Sequence, residues 1–168
     1  MATAANPADV SPSTGADSPA TYYLHPATLF VSEQPHVVTT VLGTCVAVCL
    51  WDRVLRVGGI NHYMLPLWNG VGLSSPKFGN IAVALLIERM ERLGCRRANL
   101  TAKLFGGKAS GNEHALLNIG DRNAALAEEM LTEARIAVTA RSLGGPFGRK
   151  LLFNTESSEV LLKRHAMT

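Results

Sequence analysis

Apolar and polar positions recur with two different periods along the chain, which predicts a domain of strands and helices. Residues 37–51 are apolar and rich in β-branched side chains, and Gly43 interrupts them, so we expect two strands joined by a turn at residues 42–44. Another strand is predicted over residues 55–64. Glycine, serine and proline then mark a surface loop over residues 67–77.

Two later segments have the spacing of amphipathic helices. In residues 81–93 the apolar side chains fall on one face and the charged ones on the others, and Gly94 supplies a C-terminal stop. A second helix is predicted over residues 122–135. Strands are predicted at residues 99–104, 136–141, 149–154 and 158–164, the last two as a hairpin. This order predicts the α/β class of the α+β type: a single-domain α/β sandwich, with a mixed β-sheet core and two main helices packed on it.

Length and composition favour one globular domain with a tail. The chain has 168 residues, of which 47% are hydrophobic and 17% are charged. Residues 1–20 are rich in Ala, Pro, Ser and Thr without apolar periodicity, so we expect a disordered N-terminal tail followed by a domain over residues 21–168. No apolar run approaches the roughly 20 residues of a membrane span, and the N-terminus lacks the pattern of a secretory signal. We therefore expect a cytoplasmic protein without membrane insertion.

The charge is unevenly distributed. The whole chain has a formal net charge of +3, but its first basic residue is Arg53, so residues 53–168 hold all 16 basic and only nine acidic residues, or +7. This excess allows an acidic partner. The basic residues stand in short pairs without interleaved aromatic side chains, which is typical of a solvated surface and not of a nucleic-acid site.

Three cysteines, an odd number, argue against a disulfide framework. Cys45 follows the break at Gly43 and opens a strand, a position that presents a side chain at the end of a sheet beside unpaired backbone N–H groups. A thiolate nucleophile and its oxyanion need this arrangement, although a buried structural cysteine also suits a strand start. Cys49 lies in mid-strand and is predicted to be core, and Cys95 is interpreted as structural or incidental.

A metal site is not expected. Residues four apart on a strand are separated by about 13 Å, whereas zinc ligands lie about 2.0–2.3 Å from the ion. Cys45 and Cys49 therefore cannot share one ion with His62 on a regular strand. The sequence indicates no cofactor.

His62 is the histidine best placed to assist Cys45. It follows Cys45 by 17 residues, enough for one strand to end and a second to return antiparallel beside it, although a lone strand histidine can also be structural. A Cys–His pair often has a third residue that orients the ring. Asp52 is an odd number of residues from Cys45 and should face away. The hydroxyls of Thr39, Thr40 and Thr44 are the alternatives, or are ordinary strand residues.

Glycines at residues 106 and 107 follow a predicted strand. Phe105-Gly106-Gly107-Lys108 lacks the spacing of a phosphate-binding loop. Such paired glycines instead allow another backbone segment to approach closely. Residues 118–123 are interpreted as a turn leading into the second helix.

Several motifs in one order resemble the chemoreceptor glutamine deamidases of bacterial chemotaxis, the CheD family. They are LGTCVAVCLWD, GGINHYMLP, AKLFGG, NIGDRN and LGG with GRK, spread over residues 22–164. The resemblance implies an α/β sandwich with Cys45 as the nucleophile and His62 as its proton-transfer partner. It also implies Thr39, six positions before the cysteine, as the third catalytic residue. Gly43, Thr44 and Asn61 are the expected contributors to substrate or oxyanion binding.

The same resemblance implies a protein-glutamine glutaminase. Such an enzyme converts a glutamine side chain of a methyl-accepting chemoreceptor to glutamate and ammonia through a cysteine thioester, and the same chemistry permits cleavage of a glutamyl methyl ester. The implied partners are the cytoplasmic part of the receptor and the chemotaxis phosphatase CheC. Three alternatives stay open: a transglutaminase that uses the same thioester, a non-enzymatic adaptor that binds receptor or CheC, and a plain α/β binding domain.

Overall fold

The computed structural model describes residues 18–109, 111 and 118–166, and these form nine strands and two helices. The strands are β1 (Ala20–Tyr23), β2 (Thr28–Ser32), β3 (His36–Leu42), β4 (Val46–Asp52), β5 (Val57–His62), β6 (Leu100–Gly106), β7 (Ala137–Leu143), β8 (Phe147–Asn154) and β9 (Val160–Ala166). The helices are α1 (Gly79–Arg92) and α2 (Ile119–Glu133), and a 3₁₀ turn spans Arg97–Asn99.

The strands form two sheets. The five-stranded sheet has the order β2-β5-β4-β6-β7, and the four-stranded sheet has the order β1-β3-β8-β9. Each sheet is mixed, because β1 runs parallel to β3 and β7 runs parallel to β6 while the other pairs are antiparallel. The predicted α/β sandwich with two helices is confirmed. Its strands, however, divide between two sheets where the sequence suggested one, because periodicity does not show which strands pair.

Two apolar cores hold three layers together. One core lies between the helices and the five-stranded sheet, and the other lies between the two sheets. Alternate residues of β4 enter different cores: Val46, Val48 and Leu50 face the helices, while Ala47 and Cys49 face the other sheet. Burial on both faces explains why β4 has a continuous apolar sequence. It also places every second residue of β4 between the sheets.

Most predicted elements are found at their expected places, and the hairpin of β8 and β9 is confirmed. β1 and β2 were not predicted, because they are short and none of their residues is fully buried. Residues 1–17, 110, 112–117 and 167–168 lie outside the described residues, so the predicted tail stays a prediction. In the part of the chain that the structure describes, no helix has the length and apolarity needed to cross a membrane.

Candidate active site

Cys45 lies in a turn that crosses from one sheet to the other. Residues 43–45 join β3 of the four-stranded sheet to β4 of the five-stranded sheet, so they belong to neither hydrogen-bonding ladder. The Cys45 side chain is half-buried and packs against the core between the sheets. The predicted position of this cysteine, at a sheet end beside a turn, is what the structure shows.

Three consecutive carbonyl groups of this turn accept hydrogen bonds from residues that lie far away in the sequence. Gly43 O accepts a hydrogen bond from Lys108 N at 2.9 Å, and Cys45 O accepts one from Gly107 N at 2.9 Å. Thr44 O accepts from Asn123 Nδ2 at 3.0 Å. Among the described residues, the Thr44 N–H has no acceptor and the Cys45 N–H has only its own sulfur, so both can donate to an oxyanion that forms beside the thiol.

Glycines make this close packing possible. A Cβ atom on Gly106 would lie 2.2 Å from Cys45 O, and one on Gly120 would lie 2.1 Å from Lys108 O. Gly106 also has a φ of 109°, which side chains disfavour. The expectation that residues 106 and 107 admit other backbone segments is confirmed: Gly106 packs against the Cys45 turn, and Gly107 packs against Gly120 at the start of α2.

His62 lies on the same face of the sheet as Cys45. β5 runs antiparallel to β4, and a bridge between Val46 and Tyr63 sets a register in which His62 is opposite Ala47. Cys45 directly precedes β4 and packs against the same inter-sheet core as Ala47, so its side chain and that of His62 lie between the sheets at the same end of β4. No hydrogen bond joins the sulfur to the ring in this structure. Catalytic hydrogen bonds are often long in free enzymes and shorten when substrate binds.

Thr40 holds the ring of His62. Its Oγ1 lies 2.7 Å from His62 Nδ1 and 2.8 Å from Leu24 O, and both Thr40 and His62 are buried. A carbonyl oxygen can only accept, so the single hydroxyl proton goes to Leu24 O, and Thr40 Oγ1 accepts from Nδ1–H. The neutral ring is therefore protonated at Nδ1. Its Nε2 keeps a lone pair, which a general base needs.

Thr39 does not contact His62. Val38, Thr40 and Leu42 are the buried residues of β3 and face the space between the sheets. Thr39 has the opposite parity and lies on the outer face of the four-stranded sheet. Of the threonines that the sequence left open as ring-orienting residues, the structure brings Thr40 to the imidazole, whereas the family resemblance pointed to Thr39.

Burial shifts the acidity of both groups toward their neutral forms. Desolvation raises the pKa of the Cys45 thiol above its ordinary 9.0, although its own backbone N–H partly opposes this. Desolvation lowers the pKa of His62 from 6.5 to about 4. Burial is the cause of this shift, and within the part of the chain that the structure describes no carboxylate opposes it. At neutral pH the resting pair is therefore a thiol beside a neutral imidazole.

Asn61 is a structural part of the β4–β5 ladder. Its Oδ1 accepts from Val48 N at 2.9 Å, between the bridge at Val46 and the regular pairing that begins at Cys49. Its Nδ2 is buried and has no partner among the described residues. The structure does not bring Asn61 to Cys45, because residue 61 and residue 62 face opposite sides of the sheet.

Cys49 is a core residue, as predicted, and Cys95 is buried as well. Cys49 is 2% exposed between the sheets, and Cys95 is 5% exposed under the helices. Among the described residues, no group of three or more His, Cys, Asp or Glu side chains is placed to hold a metal ion.

Asn123 is a site residue that the sequence did not reveal. Its Nδ2 donates to Thr44 O and to Met64 O, both at 3.0 Å, and so joins the Cys45 turn to the end of the strand that carries His62. Tyr63 Oη donates to the backbone carbonyl of Asn123. One signal was available: Asn123 precedes the buried Leu126 and Ala127 by three and four residues, so it is a polar residue on the apolar face of α2.

Arg149 stabilises the end of β6 that packs against the Cys45 turn. It is 3% exposed, and its guanidinium donates to Gly106 O at 3.2 Å and to Gly144 O at 2.7 Å. Burial, together with the nearby charge of Arg164, lowers its pKa. The Cys45 carbonyl packs against Gly106, so the hydrogen bond from Arg149 to Gly106 O stabilises the backbone that the Cys45 turn contacts.

The chain is similar to known proteins over most of its length. The sequence model described as CheD chemotactic sensory transduction matches residues 64–164. Two proteins named "Probable chemoreceptor glutamine deamidase CheD" are each 49% identical to it. The one from Sulfurimonas denitrificans aligns over 84% of this chain and 92% of its own length, and the one from Trichlorobacter lovleyi over 85% and 89%.

A more distant relative, "Probable chemoreceptor glutamine deamidase CheD 1" of Anaeromyxobacter dehalogenans, is 44% identical over 89% of this chain and 88% of its own length. Among solved structures, the Bacillus licheniformis hypothetical protein YfiH has a TM-score of 0.42 at 15% identity, over 64% of this chain and 49% of that chain. The motifs around Cys45 and His62 precede the matched family region, but the long alignments with the relatives extend the likeness over most of the chain. The chain therefore belongs to the CheD family.

Proposed function

We propose that this protein is a chemoreceptor glutamine deamidase, a protein-glutamine glutaminase that hydrolyses the side-chain amide of receptor glutamines. The names of its relatives support this activity. The observation that carries the chemistry is the chain Leu24 O, Thr40 Oγ1 and His62 Nδ1, which leaves Nε2 as a base on the face that His62 shares with Cys45.

The first step is attack on the amide carbon. His62 Nε2 takes the thiol proton as Cys45 Sγ bonds to the carbon, because the raised thiol pKa keeps little thiolate in the resting enzyme. The carbonyl oxygen becomes an oxyanion. The N–H groups of Thr44 and Cys45 stabilise it, which agrees with the predicted role of the 43–45 turn.

The second step expels ammonia. Protonated His62 gives its Nε2 proton to the leaving nitrogen, and a thioester remains on Cys45. His62 then takes a proton from water, whose oxygen bonds to the thioester carbon, and glutamate leaves as the thiol is restored. Thr40 accepts from Nδ1–H throughout, so it stabilises the imidazolium in both halves of the reaction. A glutamyl methyl ester would react in the same way, with methanol as the leaving group.

The substrate and its location follow from the same proposal. Cys45 is half-buried at a sheet end, which suits the side chain of a glutamine presented by another protein. A receptor whose glutamines lie in its cytoplasmic part requires a cytoplasmic enzyme. The phosphatase CheC is proposed as a second partner, and competition between CheC and a receptor fragment for this protein is the measurement that tests it.

The test is conversion of glutamine to glutamate in a receptor cytoplasmic fragment, mapped by mass spectrometry. We expect wild type and the control Cys49→Ala to convert it, and Cys45→Ala and His62→Ala to lose activity. Cys49 is the matched control because it faces the same core four residues along the strand. Undiminished conversion by Cys45→Ala would refute the mechanism.

The same experiment separates the alternatives. A transglutaminase would give amine-linked glutamine and no glutamate when a primary amine is supplied. If the protein is an adaptor, the receptor fragment stays unmodified, and wild type and Cys45→Ala bind it with equal affinity.

A further inference from the structure

The loop after the His62 strand presents apolar side chains to solvent. Leu67, Val71 and Leu73 are 55%, 77% and 94% exposed, and all three lie within seven residues. Scattered single apolar residues on a surface need no explanation, but a cluster beside a site marks an interaction surface. We call residues 67–73 the apolar loop.

Hydrogen bonds give the apolar loop a defined shape. Trp68 N donates to Asn80 Oδ1 at 2.9 Å, which ties the loop to the first turn of α1. Trp68 Nε1 donates to Val71 O at 3.1 Å, and Val71 N donates to Asn69 Oδ1 at 3.0 Å. The loop is therefore organised before any partner binds, which reduces the entropy lost on binding.

Two glycines of the apolar loop have positive φ values. Gly70 and Gly72 have φ values of 89° and 75°, and a Cβ atom at either position would meet nothing within 4 Å. Backbone conformation, and not packing, therefore makes glycine suitable there. The two glycines flank Val71, and Leu73 follows the second.

The apolar loop begins at the end of the five-stranded sheet that also carries the Cys45 turn, four residues after Tyr63 pairs with Val46. Met64, which Asn123 joins to the Cys45 turn, precedes the loop by three residues. The base of the loop lines a groove of about 170 Å³ against α2. Its lining residues are Pro66, Leu67, Arg122, Ala125, Leu126 and Glu129. Arg122 is adjacent to Asn123, so the apolar surface and the nucleophile lie at the same end of the molecule.

We propose that the apolar loop and this groove form a docking surface for the protein substrate, and that they bind an apolar patch beside the reacting glutamine. This inference rests on the proposed function, because a protein whose glutamine reaches Cys45 must also cover what flanks Cys45. The groove carries both charges, from Arg122 and Glu129, so the complementary patch on the substrate is apolar at its centre and charged at its rim.

The test compares a loop variant, which carries both Val71→Ser and Leu73→Ser, with the control Leu55→Ser. Leu55 is 48% exposed and lies in the turn between β4 and β5, at the opposite end of the strand from Cys45. With a receptor cytoplasmic fragment as substrate, we expect the loop variant to raise KM about tenfold or more with kcat unchanged, as for loss of interface anchors. We expect Leu55→Ser to match wild type. The alkylation rate of Cys45 by iodoacetamide should be equal in all three proteins.

Binding is measured separately, by titrating the fragment into Cys45→Ala protein with and without the loop substitutions. Binding that weakens about tenfold or more in the loop variant supports the inference even where no conversion occurs, and in that case only the proposed function fails. Three results would overturn the docking surface. The loop variant could keep the KM and the binding affinity of wild type, or Leu55→Ser could lose as much affinity as the loop variant. The fragment could also fail to bind either protein.

Discussion

The role of Thr40 can be tested by substituting two neighbouring threonines of one strand. Thr40→Val removes the hydroxyl that lies between His62 Nδ1 and Leu24 O, and Thr39→Val removes one on the opposite face of β3. Valine has nearly the same shape and favours strands, so packing changes little at either position. The two variants differ chiefly in which hydroxyl is lost.

The hydrogen bonds give the magnitude. A hydrogen bond to a charged group contributes about 1.5–3 kcal/mol, and Thr40 accepts one from the imidazolium that forms during the reaction. Each 1.36 kcal/mol changes a rate about tenfold, so kcat should fall about 10- to 100-fold in Thr40→Val. Loss of the hydroxyl also leaves the buried Leu24 O without its donor, which should lower the free energy of unfolding by about 1–3 kcal/mol. Thr39→Val should retain kcat within about twofold.

Two measurements distinguish orientation from a general structural effect. The first is the rate of glutamine conversion in the receptor fragment, with Thr40→Ser as the variant that keeps the hydroxyl and should restore most of kcat. The second is the ¹⁵N NMR signal of His62, which we expect to report a proton on Nδ1 in wild type and in Thr39→Val. The reasoning is refuted if Thr39→Val loses activity and Thr40→Val keeps it, or if wild-type His62 carries its neutral proton on Nε2.

Three further predictions follow from burial and close contact at the site. Because the pKa of His62 falls from 6.5 to about 4, the folded state resists protonation that the unfolded chain accepts. The contribution of His62 to stability is complete above pH 6.5 and is lost as the pH falls toward 4. Acidification should therefore lower the unfolding free energy of wild type by about 3 kcal/mol more than that of His62→Gln, as measured by urea titration at each pH. The raised pKa of Cys45 predicts that its alkylation by iodoacetamide increases with a midpoint above 9.0, and a rate already at its plateau at pH 7 would contradict it. Gly106→Ala places a Cβ atom 2.2 Å from Cys45 O and should lower unfolding free energy by about 3 kcal/mol or more. Gly94→Ala, with positive φ but open space, should cost only about 1–2 kcal/mol in the same measurement.

Much of the fold could be predicted because its elements have strong local patterns. The apolar stripe at residues 83, 86, 87 and 90 predicted α1, and these side chains are buried in the structure. β4 was recognised because burial on both faces makes it apolar throughout. β1 and β2 have no such pattern, since they are short and their residues stay exposed or half-buried. Their existence depends on pairing with β3 and β5, which lie elsewhere in the chain.

The candidate site, like the fold, has features that local sequence patterns indicate and features that they do not. Cys45 and His62 could be proposed from the sequence because a glycine break, a strand start and a return distance of 17 residues are local features. The local pattern could not choose between Thr39 and Thr40, because both hydroxyls stand on one strand and a shift of one residue reverses the face, and the family resemblance pointed to Thr39, which does not contact the ring. Only the pairing of β3 with β1, which brings the Leu24 carbonyl beside Thr40, selects one of them.

The sequence by itself determined the helices and the buried strands, because these depend on periodicity, and its resemblance to the CheD family motifs pointed to Cys45 and His62 as the residues of the proposed chemistry. The tertiary structure decided the division into two sheets, the tautomer of His62 and the support of the Cys45 turn by Gly107, Lys108 and Asn123. These depend on contacts between residues far apart in sequence, such as the 79 positions that separate Thr44 from Asn123. Hydrogen bonds of this kind form only when folding has brought both partners together, and no local pattern encodes them.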